Sequence, residues 1–251
     1  MSAIVVIPAR FAATRFPGKP LAPLKGLPVI QHVYERSLRS RLASDALVAT
    51  DSELIFETVI AFGGKAVMTS PGHPSGTDRI AEVAASIACD IVVNVQGDEP
   101  LIRPEMIDDV ISLLDAGDAG VGTLAKRIRN QREVLDPNVV KVVFGEDGRA
   151  FYFSRAPIPY HRDLFASHPP GTETEGLLMF KHVGLYSYRR DVLLQLARLK
   201  PSRLELIEKL EQLRALENGF VIKVGETDFE TLGVDTPEDL ERIEQCLNSS
   251  S

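Results

Sequence analysis

The chain has 251 residues, of which 28 are basic and 35 acidic, giving a formal net charge of −7. A hydrophobic fraction of 44% with 25% charged residues is typical of a globular protein, and the length suits one large domain. An acidic chain without a basic block is a poor candidate for binding long nucleic acids. No apolar run approaches the roughly 18 residues of a membrane span, and no signal peptide is expected at the start. The two cysteines, Cys89 and Cys246, are expected to stay reduced in a cytoplasmic protein.

In the first half of the chain, short apolar runs alternate with amphipathic stretches, which predicts a β-α-β-α order. Such an order indicates an α/β protein, in which a mostly parallel sheet is covered by helices on both faces. The predicted strands are Ala3–Ile7, Ala46–Thr50, Lys65–Met68 and Ile91–Gln96. The predicted helices are Val29–Leu42, Ser52–Phe62, Thr77–Ala88 and Pro104–Leu114.

The second half begins with a predicted β-hairpin, because an Asp147-Gly148 turn separates the apolar runs 139–144 and 149–154. Residues 155–182 are rich in Pro, Gly, His and Thr, and a connection of this length is usually functional or mobile. The remaining predicted elements are a strand at 181–187, helices at 189–199 and 204–217, a strand at 221–224 and a helix at 236–247.

The loop after the first predicted strand carries three cations, Arg10, Arg15 and Lys19, together with Gly18. In an open α/β sheet, ligands bind beyond the carboxyl ends of the strands, which is where this loop lies. Arginine forks and a lysine ammonium suit phosphate oxygens, and glycine allows the backbone to approach closely. We therefore predict that the loop binds a triphosphate; the alternative is a solvated surface loop.

Two familiar nucleotide-binding patterns do not apply. No Walker A string occurs, and the weak Rossmann-like string Gly120–Ala125 lies within a predicted strand instead of between a strand and a helix. A dinucleotide-binding role for that string is therefore rejected.

A second polar segment leads into the third predicted helix. Ser75 or Thr77 can cap this helix, and Asp78 suits the positive end of its dipole. For Thr77 and Asp78, capping alone is the favoured interpretation. Ser75, Gly76 and Arg79 suit contacts with the base and ribose of a nucleoside, and helix capping is the alternative.

The buried strand at 91–96 opens directly onto Gly97, Asp98 and Glu99. Mg²⁺ prefers one or two carboxylates together with substrate phosphates, so Asp98 is the predicted metal ligand, with an ordinary turn residue as the alternative. Glu99 is expected to be structural. Asp235 precedes another helix, and a role as second ligand requires it to face Asp98 across the sheet. Two carboxylates holding one metal against a triphosphate would make a phosphoryl or nucleotidyl transfer site.

Seven strings in this order give the chain its resemblance to a known family. They are I-P-A-R-x-x-x-T-R-x-P-G-K-P-L, H-P-S-G-T-D-R, N-V-Q-G-D-E-P, F-S-R-A-P-I-P, H-V-G-L-Y, E-x-L-E-Q-L-R and G-V-D-T-P-E-D-L. From Ile7 to about Leu240, the chain resembles the 3-deoxy-manno-octulosonate (Kdo) cytidylyltransferases, the CMP-Kdo synthetases of lipopolysaccharide biosynthesis.

The resemblance implies a Rossmann-like nucleotidyltransferase fold in a single domain. Residues 1–130 and 219–247 would form the nucleotide- and metal-binding body, and residues 131–218 a smaller inserted sugar-binding and dimerisation part. It further implies Mg²⁺ as cofactor, CTP and Kdo as substrates, CMP-Kdo and pyrophosphate as products, and a homodimer.

The resemblance also implies roles for individual residues. The nucleotide-binding residues would be Ala9, Arg10, Arg15, Lys19, Ser75, Gly76, Arg79 and Gln96. Asp98 and Asp235 fall on the metal carboxylates, and with Lys19 and Arg10 they are the expected catalytic residues. The sugar-acid-binding residues would be Arg155, His182, Tyr186, Glu211 and Gln212. Ala13 stands where the family often has Ser, which removes a hydroxyl that could touch a phosphate.

Without the resemblance, the residues assigned to the sugar acid give weaker evidence for a binding site. A sugar acid needs a cation for its carboxylate, which Arg155 could supply; a surface charge is the alternative. His182 and Tyr186 are four apart on one predicted strand, so they share a face, and half-buried sheet residues are the alternative. Glu211 and Gln212 lie in a predicted helix, where polar side chains usually face water.

Two other functions stay open at this point. One is a cytidylyltransferase for another 2-keto sugar acid, such as a sialic acid or an amino-substituted Kdo. The other is a non-catalytic nucleotide-binding regulator, which would keep the basic loop but have no use for two metal carboxylates.

Overall fold

A sheet of nine strands forms the centre of the fold in the computed structural model, which describes residues 1–12, 16–115, 117–167 and 178–249. The strands, which include a separate two-stranded ribbon of β2 and β3, are β1 Ala3–Ala9, β2 Pro23–Leu24, β3 Leu27–Pro28, β4 Ala43–Thr50, β5 Ala66–Met68, β6 Ile91–Asn94, β7 Val121–Arg127, β8 Lys141–Phe144, β9 Ala150–Ser154, β10 Phe180–Arg189 and β11 Ile222–Glu226. The helices are α1 Val29–Ser37, α2 Glu53–Ala61, α3 Gly76–Ser86, α4 Pro104–Ser112, α5 Gln131–Leu135, α6 Arg162–Ser167, α7 Arg190–Leu196, α8 Arg203–Glu208, α9 Gln212–Glu217 and α10 Pro237–Ser249.

Seven of the nine strands of the main sheet follow the order β11-β7-β10-β6-β1-β4-β5, and the other two, β8 and β9, are attached through the pairing of β8 with β10. β1 pairs in parallel with β4 on one side and with β6 on the other, whereas β10 is antiparallel to both β6 and β7. The predicted mostly parallel α/β sheet is therefore confirmed. The chain first moves from β1 towards β5 and later returns to β6, so the strand order reverses at β1. Such a reversal opens a crevice at the carboxyl ends of the strands, where ligands of α/β proteins bind.

Two apolar cores lie on the two faces of the sheet. In β1, Val5 and Ile7 belong to the core beneath α1 and α4, and Val6 belongs to the core beneath α3 and α7. Successive side chains of a strand point to opposite faces, and both faces are covered. This is why the central strands appear in the sequence as unbroken apolar runs.

The predicted hairpin is confirmed, since β8 and β9 pair in antiparallel fashion and Gly148 has a φ of 78° in the turn between them. The single helix predicted at 204–217 is wrong. Lys209 adopts a φ of 56°, which ends α8, and the chain turns before α9 begins. Helical periodicity continues across the break, so the pattern alone does not mark it.

The 131–218 segment contributes a strand to the main sheet. β10 lies within the range 131–218, yet it pairs between β6 and β7 in the middle of the main sheet. The hairpin of β8 and β9 is attached to β10, and α9 packs against β9. The 131–218 segment is thus continuous with the main sheet, and the roles expected for the two parts of the chain stay predictions.

Within the described residues, no helix combines the length and apolar character needed to cross a bilayer. Ala13, Arg15 and residues 168–177 of the long 155–182 connection lie outside the described residues.

Candidate active site

A first cavity, of about 240 Å³, opens where β1 and β6 end. Nine residues predicted to bind the nucleotide or the metal line it: Ala9, Arg10, Lys19, Ser75, Gly76, Arg79, Gln96, Asp98 and Asp235. The tenth, Arg15, lies outside the described residues. Because β1 and β6 are parallel neighbours, the loops after them necessarily meet at the same edge of the sheet.

The ammonium of Lys19 joins two carboxylates in this cavity. Its Nζ donates to Oδ2 of Asp98 and, over 3.2 Å, to Oδ1 of Asp235. The Val234 amide donates to the Asp98 carbonyl oxygen over 2.8 Å, which ties the segment carrying Asp235 to the end of β6. The structure therefore brings Asp235 to Asp98, as a shared role in metal binding requires.

Gly97 is needed where β6 passes the end of β1. A Cβ atom at this position would lie 2.9 Å from the carbonyl oxygen of Pro8, closer than real Cβ atoms come to backbone. Because glycine has no Cβ, the backbone can pass this close to Pro8, and the next residue, Asp98, lies at the cavity.

The two carboxylates form a donor set that suits a magnesium ion bound together with a polyphosphate. Both reach one ammonium nitrogen, and Mg²⁺ is usually held by one or two carboxylates plus substrate oxygens. Among the described residues, no group of three His, Cys, Asp or Glu side chains could hold a metal ion unaided. The remaining ligands would therefore have to come from the substrate and water.

Glu99 does not line the cavity. Its Oε2 is buried and accepts no hydrogen bond from a described residue. Burial, and then the neighbouring Asp98, raise the pKa of this carboxyl to about 8.

The start of α3 forms one wall of the cavity. Ser75 Oγ accepts a hydrogen bond from the Asp78 amide over 3.1 Å and so caps the helix. Arg79, only 4% exposed, donates to Asp51 Oδ2 over 2.8 Å and also to Thr69 Oγ1. These bonds hold the guanidinium of Arg79 in a fixed position at the cavity wall.

A second cavity, of about 200 Å³, adjoins the first, and both are lined by Gly76 and Gln96. Three of the residues predicted to bind the sugar acid, Tyr186, Glu211 and Gln212, line this cavity. Two ligands bound in the two cavities would therefore meet at the shared wall.

Glu211 connects the second cavity to the start of α3. Its carboxylate accepts from the hydroxyls of Ser75 and Thr77, each over 2.9 Å. Burial raises the pKa of Glu211, and the two hydrogen bonds only partly oppose that effect. The sequence suggested a solvated helical residue, but the turn at Lys209 points Glu211 inward.

His182 and Tyr186 share a face of β10, as predicted, and their ring centroids are 5.2 Å apart. His182 nevertheless lines a separate cavity beside residues 229–231 and does not line the second one. Burial lowers the pKa of His182 to about 3, so its ring is neutral at physiological pH. Its contact with a sugar stays a prediction.

Arg155 lies outside the lining of both cavities. Its guanidinium donates to the carbonyl oxygens of Pro137, Glu208 and Lys209 over 2.7, 2.7 and 3.4 Å. The side chain thus joins the residues before β8 to the α8–α9 corner. A role as ligand of the sugar carboxylate stays a prediction, and this geometry favours a structural role.

Sequence reasoning assigned no role to four polar residues that line the two cavities. They are His73 in the first, and Asn94, Tyr188 and Arg214 in the second. The sequence could have indicated Asn94 as a functional residue, because it is a polar residue in a strand of apolar ones. The others became recognisable only once β10, α3 and α9 were packed together.

The comparisons with known proteins agree on one family. The sequence profile described as cytidylyltransferase matches residues 4–243. A 3-deoxy-manno-octulosonate cytidylyltransferase of Geobacter metallireducens is 56% identical over 99% of this chain and 98% of its own length. One of Thermodesulfovibrio yellowstonii is 52% identical, with both chains fully covered. A solved structure of a CMP:2-keto-3-deoxy-manno-octonic acid synthetase in complex with CTP is 42% identical, covers both chains fully and superposes with a TM-score of 0.91.

Proposed function

We propose a nucleotidyl-transfer reaction for this chain, which belongs to the cytidylyltransferase family. The anomeric hydroxyl of Kdo attacks the α-phosphorus of CTP, a P–O bond forms, the hydroxyl proton is released, and pyrophosphate leaves. The products are CMP-Kdo and pyrophosphate, and CMP-Kdo serves lipopolysaccharide biosynthesis. The names and high identities of the relatives support Kdo as the sugar acid.

The observation that carries this proposal is the pair of adjoining cavities. The first contains a cation, Lys19, and two carboxylates at the end of a parallel sheet, which suits a nucleoside triphosphate and its metal. The second is lined by hydroxyl, amide and carboxyl groups, which suits a polyhydroxylated sugar. A regulator that only binds a nucleotide would need neither the second cavity nor the carboxylate pair.

The residues of the first cavity position the triphosphate and stabilise the negative charge that grows on the leaving group. Lys19 and Arg10 supply this positive charge, and Lys19 lies beside both carboxylates. Asp98 and Asp235 would hold Mg²⁺, which when bound neutralises phosphate charge and lowers the pKa of a coordinated hydroxyl. No side-chain base is assigned, since positioning and electrostatic stabilisation supply most of the catalysis in phosphoryl transfer.

The substrate is tested by incubating the protein with labelled CTP, Mg²⁺ and either Kdo or a sialic acid, and measuring pyrophosphate. We expect release with Kdo. Release with the sialic acid alone would change the substrate, and release with neither sugar would favour the regulator. Removal of Mg²⁺ with EDTA should stop the reaction, and added Mg²⁺ should restore it.

The metal assignment is tested by Asp98→Asn, which keeps the size of the side chain but removes its charge. We expect kcat to fall by about 100-fold or more, with an unchanged melting temperature. Asp90→Asn is the matched control, because Asp90 precedes the other end of the same strand and binds the Ser2 backbone. Full Mg²⁺-dependent turnover by Asp98→Asn would contradict the assignment.

We further propose that the protein is a cytoplasmic homodimer. Neither cysteine forms a disulfide, and CTP is a cytoplasmic nucleotide. Apart from Met1, the most exposed large apolar side chains of the described residues all lie in the 131–218 segment. They are Tyr160, Ile207, Phe151, Leu178, Leu135 and Leu206, with exposures from 69% down to 53%. These six side chains, which are more exposed than any other large apolar side chain of the described residues except Met1, support an interface in this segment.

A further inference from the structure

Asn94 is a buried polar residue on the floor of the second cavity. It ends β6, is 3% exposed, and comes after three fully buried apolar residues. In the antiparallel pairing of β6 with β10, Asn94 lies directly opposite Tyr186. Opposed residues of an antiparallel pair point to the same face, so both side chains reach the cavity from neighbouring strands.

The hydrogen bonds of Asn94 are incomplete. A side-chain amide has one acceptor oxygen and two N–H donors. Gln96 Nε2 donates to Oδ1 of Asn94 over 3.4 Å, which leaves the NH₂ end facing the cavity. That NH₂ donates to no group of the described residues. The amide nitrogen of Asn94 is not among the fully buried unpartnered atoms of the described residues, so it is open to the cavity, where water or an acceptor atom of a bound ligand can receive its hydrogen bond.

The other groups of the cavity indicate what kind of acceptor this is. Arg214, the cation among the lining residues, is engaged by Glu205 through hydrogen bonds of 2.9 and 2.5 Å. Glu211 contributes a carboxyl group to the same wall. A carboxylate of the ligand would therefore lie beside the carboxyl group of Glu211, without a cation that is free to pair with it. A hydroxyl of the ligand, in contrast, can donate to Glu211 and accept from Asn94.

We propose that the Asn94 amide donates a hydrogen bond to a hydroxyl of the sugar acid and so contributes to the selection of the sugar. The inference rests on the proposed function, because it takes the second cavity as the sugar site. It places a sugar hydroxyl at the floor of the cavity and the sugar carboxylate elsewhere.

The test compares steady-state kinetics of the full-length protein and of two variants, with Kdo and CTP varied in turn. Asn94→Ala removes the donor, and Asn94→Asp keeps the shape but replaces the donor by a charged acceptor. We expect the KM for Kdo to rise about tenfold or more in both variants, with little change in the KM for CTP. The isosteric variant keeps the inference testable if the alanine variant is unstable.

Ser187→Ala is the matched control for a merely structural effect. Ser187 is fully buried in β10, donates to the Val110 carbonyl oxygen, and does not line the second cavity. We expect this variant to melt at a lower temperature with an unchanged KM for Kdo. Unchanged KM for Kdo in both Asn94 variants would overturn the inference and leave the proposed function intact.

Monodeoxy analogues of Kdo separate the hydroxyl from the carboxylate. For the wild-type protein, one analogue should have a higher KM than Kdo. For Asn94→Ala, the same analogue and Kdo should have equal KM values, because the amide that contacts the missing hydroxyl is already absent. If the KM difference between the two proteins persists with every analogue, the hydroxyl contact is excluded. A wild-type protein that releases no pyrophosphate with Kdo would overturn the proposed function, and this inference with it.

Discussion

Two buried arginines of this protein are paired with carboxylates, and the partner determines what each guanidinium group can do. Arg79 is held by Asp51, and Arg214 by Glu205, so both guanidinium groups are fixed parts of cavity walls. Lys19 differs, because its two carboxylate partners themselves line the first cavity. A ligand can therefore compete for the partners of Lys19.

Asp108 is a residue whose pairing predicts a pH dependence of stability. Burial raises the pKa of its carboxyl, but hydrogen bonds from Ser40, Leu42 and Arg41 outweigh burial, so the pKa lies below its usual value. A carboxyl with a lowered pKa stabilises the fold above its unfolded pKa of about 3.9, and that stabilisation is lost as the pH falls through the folded pKa. We expect Asp108→Asn to lower the free energy of unfolding by about 2 kcal/mol at pH 7.

Urea denaturation at pH 7 and again below pH 4 measures this effect, and the difference between the two proteins should shrink in acid. Asp109→Asn is the matched control, because burial, together with the charges of Asp108 and Glu105, raises the pKa of Asp109. That control should cost no stability at neutral pH. If Asp108→Asn lowers the free energy of unfolding by the same amount at both pH values, the prediction is contradicted.

At the scale of elements, the corner between α8 and α9 decides the shape of the second cavity. Lys209 ends α8 in the left-handed region, and the next turn points Glu211 and Gln212 into the cavity. The Arg155 guanidinium holds this corner through the carbonyl oxygens of Glu208 and Lys209. The shape of the second cavity therefore depends on a backbone conformation that lysine adopts only at a cost.

Lys209→Gly is expected to stabilise the protein by about 0.5–1 kcal/mol. Glycine adopts a positive φ without strain, and this gain exceeds the larger entropy that glycine loses on folding. Glu57→Gly is the matched control, since Glu57 is exposed, lies inside α2 and is outside the 131–218 segment, and it should lose about 1 kcal/mol. Chemical denaturation measures both variants. A loss of stability in Lys209→Gly would mean that the left-handed conformation is not strained there.

At the scale of the whole molecule, the net charge of −7 says little about the ligand, because local charge matters at the site. Arg10 and Lys19 line a cavity within an acidic protein, and two carboxylates beside them suit a cation. The negative net charge of the protein argues against long nucleic acids as partners but not against a small polyphosphate.

A charged side chain introduced into the apolar surface of the 131–218 segment is predicted to prevent dimer formation. We expect Ile207→Glu to convert the dimer to a monomer, because a buried unpaired charge is costly at an interface. Light scattering coupled to size-exclusion chromatography measures the mass. Leu54→Glu, at an exposed apolar position of α2, is the matched control and should leave the mass unchanged. A wild-type protein of monomer mass would contradict the proposed dimer.

Much of the fold was predictable from local patterns. Apolar runs such as Ala3–Ile7 and Ile91–Gln96 are typical of strands buried on both faces, and the structure confirms both with small changes at their ends. Ser75 was one of two predicted caps of the third helix, and the structure confirms it, because its hydroxyl accepts from a free amide group of the first turn. The break at Lys209 was not predictable, since lysine at a positive φ leaves no mark on the hydrophobic pattern.

The sequence by itself determined the α/β class, the phosphate-suited loop and the two candidate metal carboxylates, because these depend on residue type and on position relative to a strand or helix. Only the tertiary structure decided which side chains meet. It joined Asp235 to Asp98 through Lys19, turned Glu211 inward, directed Arg155 to backbone carbonyls and left the Asn94 amide at a cavity floor. Contacts between segments far apart in the chain are set by sheet order and helix packing, and no local pattern encodes them.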